Sequence, residues 1–311
     1  MPLLMPGGRF ARHQTLIFHR VLSSVDNMMP EEPTVEWFDE LIEYLSQNFN
    51  IIPLKDAIKL ATEKRLPRAS LSITFDDGYA DNFTNALPIL QKHSAHATFF
   101  VASRFLNGGR MWNDTIIETA RNLPYGEYAL HCFDEDKQII QSDADRRKLA
   151  SSVISYCKYL PIKERDEQVA NFATYSNAIL PNNLMMNSDQ LREMAASSCA
   201  EIGAHTQNHP ILKICTPQQV REELINGMVD IEQITGNRPT LFAYPNGKRD
   251  IDYKSEQVAF VKEVGLQGAV STDWGVLTAG TDRFQVPRFT PWSRKPQRFM
   301  FDLLRARYGL L

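Results

Sequence analysis

Short apolar runs alternate with segments of helical period along most of the chain. Residues 15–19 (TLIFH) read as a strand, and Thr34 caps an amphipathic helix whose Trp37, Phe38, Leu41, Ile42 and Leu45 share one face. A second short run at 51–54 leads into a helix ending near Lys64. Residues 71–75 (LSITF) read as a buried strand that stops at the turn-like Asp76-Asp77-Gly78. Asp81 can cap the next helix, with Pro88 inside it as a kink, and residues 97–102 (ATFFVA) form the following strand. Further on, 190–196 is helical and 201–204 is a strand, and the capping box Thr216-Pro217-Gln218-Gln219 opens a helix to about Thr235. Strands at 241–244, 267–271 and 285–289, a helix at 255–264 and a basic helix from about Arg294 complete the series.

Strands that alternate with helices pair in parallel through right-handed crossovers. About seven such units suggest a closed or nearly closed barrel rather than an open sheet, a choice that periodicity alone does not make. Residues 106–187 break the rhythm with a polar, helical pattern and a dense charge run at 134–148 (DEDKQIIQSDADRRK). They read as an insertion between two barrel strands, either a solvated decoration or an element with a lid or substrate-shaping role. The expectation is a single barrel domain over 1–311 carrying a largely helical insertion at 106–187.

Composition narrows the class. With 43% hydrophobic and 23% charged residues in a 311-residue chain, disordered, collagenous and disulfide-scaffold proteins are excluded. A net charge of −3 gives no reason to expect a nucleic-acid partner, and no apolar run is long enough for a membrane span. At the amino terminus Pro2, Pro6, Gly7 and Gly8 interrupt the apolar residues, and Arg9 and Arg12 follow them, the reverse of a secretory signal. Cys132, Cys157, Cys199 and Cys215 are widely spaced, with no C-x-x-C pair. Together these features predict reduced thiols in a cytoplasmic protein, although a trimmed exported chain would look the same.

Polar groups gather where strands end, the rim at which parallel α/β folds collect ligands. Asp76 and Asp77 end one strand, His205 and His209 follow another, 244–247 end a third and Asp273-Trp274 a fourth, while His19 ends the first and Arg288 the last. His205 and His209, four apart, can share a metal ion from one face of a helical turn or tight loop, and a carboxylate as third ligand leaves a position open for water. An H-x-x-x-H pair alone is weak evidence, and Asp-Asp-Gly is often only a turn. Adjacent carboxylates nevertheless point to different sides of a strand end, so one can ligate a cation while the other stays free as a base.

The sequence Thr74-Phe75-Asp76-Asp77-Gly78, followed by His205-Thr206-Gln207-Asn208-His209-Pro210, resembles the polysaccharide deacetylases of carbohydrate esterase family four, whose motifs are T-F-D-D-G and H-[ST]-x-x-H-P. The resemblance implies a distorted (β/α)-barrel and metal-dependent removal of acetyl groups from N-acetylated sugars. It implies Asp77, His205 and His209 as metal ligands and Asp76 as general base. Three departures stand out. Alanine replaces the usual motif arginine in Phe242-Ala243-Tyr244-Pro245-Asn246-Gly247, no histidine follows His209 to act as acid, and the fourth motif survives only as Asp273-Trp274. Leu16-Ile17-Phe18-His19-Arg20 is similar to a bacterial exopolysaccharide deacetylase subgroup in which the acid histidine lies on the first strand and F-A-Y-P-x-G replaces the arginine motif.

On that resemblance His19 is the general acid, Arg288 a candidate to hold Asp76, and Asn246 the source of an oxyanion N–H, with Tyr244, Asp273 and Trp274 beside the substrate. Two imidazoles and one carboxylate favour Zn²⁺. The expected partner is a carbohydrate containing N-acetylhexosamine, with the oligomeric state open. Two other readings remain: an amide hydrolase acting on a small non-sugar amide, and a carbohydrate-binding relative without turnover. An unligated Asp76 argues against the second.

Overall fold

The computed structural model describes residues 5–129, 137–290 and 296–308. Strands β1 (Gln14–Phe18), β3 (Ser70–Phe75) and β4 (Ala97–Val101) are buried along their whole length. Strands without an exposed face belong in a parallel sheet covered by helices on its outer side. That sheet also contains β7 (Ala200–Ala204), β8 (Leu241–Ala243) and β9 (Gly268–Val270), in the order β1-β3-β4-β7-β8-β9, with β2 (Asn50–Ile51) pairing β3. Every pairing in it is parallel. The result is a distorted (β/α)-barrel, as expected.

Residues 285–289 differ from expectation. They form no regular strand, but bridge both edges of the sheet through Val286 with Val270 and Phe289 with Leu16. Ser271 donates to the Val286 carbonyl (2.9 Å) and Phe289 donates to that of Thr15 (2.8 Å). Between them Pro287 has no N–H, and the Arg288 N–H turns to the Asp273 carbonyl (3.0 Å), so the ladder is interrupted while the barrel still closes.

Helix α1 (Val35–Asn48) starts at Thr34, whose hydroxyl accepts from the Trp37 N–H, and buries Phe38, Leu41, Ile42 and Leu45. Phe38 and Phe75 meet edge-on at 5.7 Å, and Phe75 stacks on Phe99 at 5.0 Å. The outer layer continues with α2 (Leu54–Thr62), α3 (Leu87–Lys92), α7 (Ser188–Ala196), α8 (Pro217–Thr235), α9 (Ser255–Glu263) and α10 (Pro296–Tyr308). The capping box at Thr216 and Gln219 forms as expected.

Asp81 does not cap. Instead a single π-helical turn, Asn82–Ala86, precedes α3, which has its proline in the first turn. Proline lacks the N–H that an α-helix would need there, and the wider turn absorbs the irregularity. Arg307, in the basic helix at the end of the chain, is buried.

The insertion contributes α4 (Trp112–Asn122), the antiparallel hairpin β5 (Gly126–Tyr128) with β6 (Gln138–Ile140), α5 (Asp143–Cys157) and α6 (Ile162–Ala173). Its apolar cluster includes Ile116, Leu149, Val153 and Phe172, and also takes in Met28 and Tyr79 from the loops that follow β1 and β3. The insertion therefore packs onto the same rim as the strand ends. Cys199 and Cys215 are free, while Cys132 and His131 lie outside the described residues. Among the described residues no helix is long and apolar enough to cross a membrane.

His13, just before β1, is fully buried between two serines, with Nδ1 3.0 Å from Ser70 Oγ and Nε2 3.0 Å from Ser72 Oγ. The Ser72 hydroxyl donates to the Ile52 carbonyl, so Nε2 carries the imidazole proton and Nδ1 accepts from Ser70. Burial, with the Arg307 charge, pushes this imidazole down to about 3. Between that value and the unfolded one near ~6.5, the unfolded chain binds the extra proton, so stability falls as pH falls. His13→Gln should therefore lose less urea stability than the wild type between pH 7 and pH 5. An equal loss in both proteins would remove His13 from the acid response.

Candidate active site

Asp76 leaves the end of β3 and Asp77 follows it with a left-handed backbone (φ 77°). Aspartate tolerates this conformation better than most residues, and it aims the two neighbouring carboxylates at different partners. Gly78 completes the turn at φ 90°, where an added Cβ would lie 3.0 Å from Val101.

Arg288, fully buried, meets Asp76 as a fork: Nη1 donates to Oδ1 and Nη2 to Oδ2, both at 2.7 Å. Its Nε donates to the Ser271 carbonyl (2.9 Å) and Nη1 also reaches Thr74 Oγ1 (3.2 Å), so the guanidinium is fixed on three sides. Burial raises the Asp76 carboxyl, but Arg288 and the nearby histidines outweigh it and hold the group below its ordinary range. The arginine absent from residues 242–247 thus has a spatial counterpart on the opposite side of the barrel seam.

Asp77 faces the two histidines instead. Its Oδ1 lies 3.4 Å from His205 Nε2 and 3.5 Å from His209 Nε2, and the ligand atoms of all three are within 4.8 Å of one another. His205 Nδ1 is 2.7 Å from the Ala243 carbonyl, which can only accept, so that nitrogen carries the proton and Nε2 presents a lone pair. Buried Asp77 Oδ1 has no hydrogen-bond partner. Acceptor atoms converging in a buried space, with no donor between them, fit a divalent cation. Burial pushes the His209 imidazole down to about 3, whereas the carboxylates outweigh burial at His205 and hold it above its usual value. The histidines sit on a tight loop, with Thr206 (φ 64°) and His209 (φ 51°) left-handed, and not on a helical turn.

These groups open into one cavity of about 490 Å³, lined by His19, Asp76, Asp77, His205, His209 and Asn246. Asn246 projects from a left-handed position (φ 59°) before Gly247, where an added Cβ would be 2.9 Å from the Tyr244 carbonyl. Tyr244 itself is not at the cavity. It is buried, stacked on Tyr253 at 3.8 Å and edge-on to Phe242 at 5.2 Å. Trp274 is 52% exposed against Phe289 and Asp273 accepts from the Arg249 N–H (3.3 Å), and neither lines the cavity. The strand-end rule placed all three at the rim, but the turn after β8 sends Tyr244 inward.

Phe18, Trp37, Tyr79 and Trp112 also line the cavity, and the last three have no place in the site expected from the sequence. Tyr79 donates to Asp114 Oδ1 (3.2 Å), and burial pushes the Asp114 carboxyl, also in the lining, up to about 7. The loop after β1 is held from the π-turn and its flank. Arg20 Nε (2.8 Å) and Val21 N–H (3.1 Å) donate to Asp81, Asn82 donates to the His19 carbonyl (2.8 Å) and Asn85 to that of Val21 (2.7 Å). A signal for these residues was present in Asp81, Asn82 and Asn85, whose short polar side chains prefer local backbone bonds to helix interiors.

The chain is similar to several known proteins. The solved structure of IcaB from Ammonifex degensii superposes with a TM-score of 0.62 at 18% identity, covering 97% of this chain and 98% of that one. Streptococcus pyogenes deacetylase PplD gives 0.61 at 14% identity, over 94% and 97% of the two chains. YxkH of Bacillus subtilis is 20% identical over 280 residues, 89% of this chain and 71% of that protein. These likenesses establish a shared fold. The sequence model of the polysaccharide deacetylase family matches residues 63–128 and 161–269, more than half of the chain and both motif regions, and the protein belongs to that family.

Proposed function

We propose that this protein is a Zn²⁺-dependent N-deacetylase of carbohydrates containing N-acetylhexosamine, working through Asp76 and His19. The observation that carries this reading is the convergence of Asp77, His205 and His209 within 4.8 Å, beside a separate carboxylate that is already paired with arginine. Bound by those three residues, a divalent ion supplies Lewis acidity toward the acetamide carbonyl and the attacking water.

The chain's own groups do the rest. Asp76 takes the proton of the attacking water, and its fork with Arg288 keeps it ionised and oriented for that task. A backbone N–H at Asn246, at the cavity wall, serves the developing oxyanion. His19, in the same lining, delivers a proton to the departing sugar nitrogen, so that the C–N bond breaks to give acetate and a free amine. Trp37 and Trp112 take over the apolar-wall role expected of Tyr244 and Trp274, since flat aromatic faces suit the C–H faces of a pyranose.

The decisive experiment measures acetate release from N-acetylglucosamine oligomers and from small non-sugar amides, with zinc bound and after chelation. Asp76→Asn should retain zinc while losing on the order of 10²–10⁴-fold in kcat, the usual worth of general base catalysis. An active Asp76→Asn enzyme overturns the base assignment, preference for small amides overturns the carbohydrate reading, and a zinc-loaded wild type inert on every glycan leaves a binding protein.

Arg288→Met would leave a buried carboxylate without its partner, which costs about 3–5 kcal/mol in comparable pairs. Because the folded Asp76 carboxyl lies below its unfolded value, the pair's stabilisation is complete above about pH 4 and fades as pH falls through the folded value. The variant's deficit in urea denaturation should therefore be large at pH 7 and shrink in acid; a deficit below about 1 kcal/mol at pH 7 would refute it.

A further inference from the structure

We infer that Arg165, on helix α6 of the insertion, is a positioning residue for the metal centre and sets the orientation of His209. The inference rests on the metal reading above.

The two histidines are held by different means. His205 is fixed through its ring, by Nδ1–H to the Ala243 carbonyl (2.7 Å). His209 Nδ1 is buried and has no hydrogen-bond partner, so its ring orientation depends on its backbone. That backbone is left-handed (φ 51°), a conformation a histidine keeps only where its surroundings enforce it.

The hydrogen bonds of the loop separate into two groups. Barrel-side elements hold its first part. Ser103 N–H donates to the Thr206 carbonyl (3.4 Å) and Arg104 N–H to that of Gln207 (3.1 Å), while Glu223 on α8 accepts from the N–H groups of Gln207 (3.1 Å) and Asn208 (2.7 Å). His209 N–H is taken by Thr206 Oγ1 (3.0 Å). The carbonyls of Asn208 and His209 remain, and both accept from one guanidinium, Arg165 Nη2 and Nη1, each at 3.2 Å.

Arg165 is 3% exposed, braced by Asp166 (3.1 Å) and lying 5.3 Å above the ring of Trp112, which lines the cavity. One side chain thus ties the metal-ligand loop to an aromatic wall of the cavity. A fork of two donors reaching two successive carbonyls is a task for arginine that a single ammonium performs incompletely.

The test measures Zn²⁺ affinity of metal-stripped full-length protein against a chromophoric chelator, with the visible spectrum of the Co²⁺-loaded protein as a second readout. Removing a partner that orients a metal ligand typically weakens binding by about 10–100-fold. Arg165→Gln should show a loss of that size and an altered Co²⁺ spectrum, Arg165→Lys a smaller loss, and the exposed Lys163→Ala on the same helix none. Arg165→Gln that folds with wild-type Zn²⁺ affinity overturns the inference, even if its unfolding midpoint drops, since that is what a purely structural arginine would do. Should Arg165→Gln not fold, Arg165→Lys decides by the same criterion. A wild type that binds no zinc overturns the metal reading itself, an outcome distinct from wild-type binding that Arg165 does not affect.

Discussion

Two carboxylates on consecutive residues, both buried, would repel each other and forfeit their hydration, a combination no fold sustains without compensation. Here each acid has its own surroundings. Asp76 has the Arg288 guanidinium, and Asp77 faces two imidazoles in a cluster that could hold a cation. The left-handed backbone at Asp77 makes the division possible by sending adjacent side chains apart. Much of the architecture follows from it. The histidines must arrive from the end of β7, the arginine from beyond β9, and only a sheet curled until its edges nearly meet brings both to the end of β3.

The insertion belongs to this arrangement. Its apolar cluster incorporates Tyr79 from the turn after β3, and α4 adds Trp112 and Asp114 to the cavity. The cavity therefore combines flat apolar faces with a carboxyl near neutrality, able to donate or accept, beside the acidic pair. Such a lining suits a ligand with both C–H faces and hydroxyls. Of the readings of residues 106–187, these contacts favour an element that shapes the cavity, as a wall built onto the barrel rim, over a solvated decoration.

Much of this was legible in the sequence because the relevant patterns are local. β3 and β4 are short runs rich in β-branched and aromatic residues, the box at Thr216 and Gln219 announces α8, and the acidic pair and histidine pair each follow a strand. Arg288 could be proposed from its place near the carboxyl end of 285–289 together with the motif arginine that residues 242–247 lack. What stayed hidden depends on partners far away in the chain. Tyr244 looked like a rim residue until the turn after β8 stacked it on Tyr253. Trp37 reads as one face of an amphipathic helix, yet it reaches the cavity. Arg165 and Glu223 bind backbone groups, and backbone groups have no sequence signature, so nothing in their spacing marks them.

The closure at residues 285–289 carries a last implication. The staves of this barrel are joined by ladders everywhere except at one stitch, where isolated bridges and a proline stand in for a strand. Arg288 is sewn into that stitch. The stitch is nevertheless tight, because Val286, Arg288 and Phe289 are buried and bonded through their backbones to both neighbouring edges. Closing the barrel and orienting the Asp76 carboxylate are thus a single event, and a change that loosened the seam would loosen that carboxylate with it.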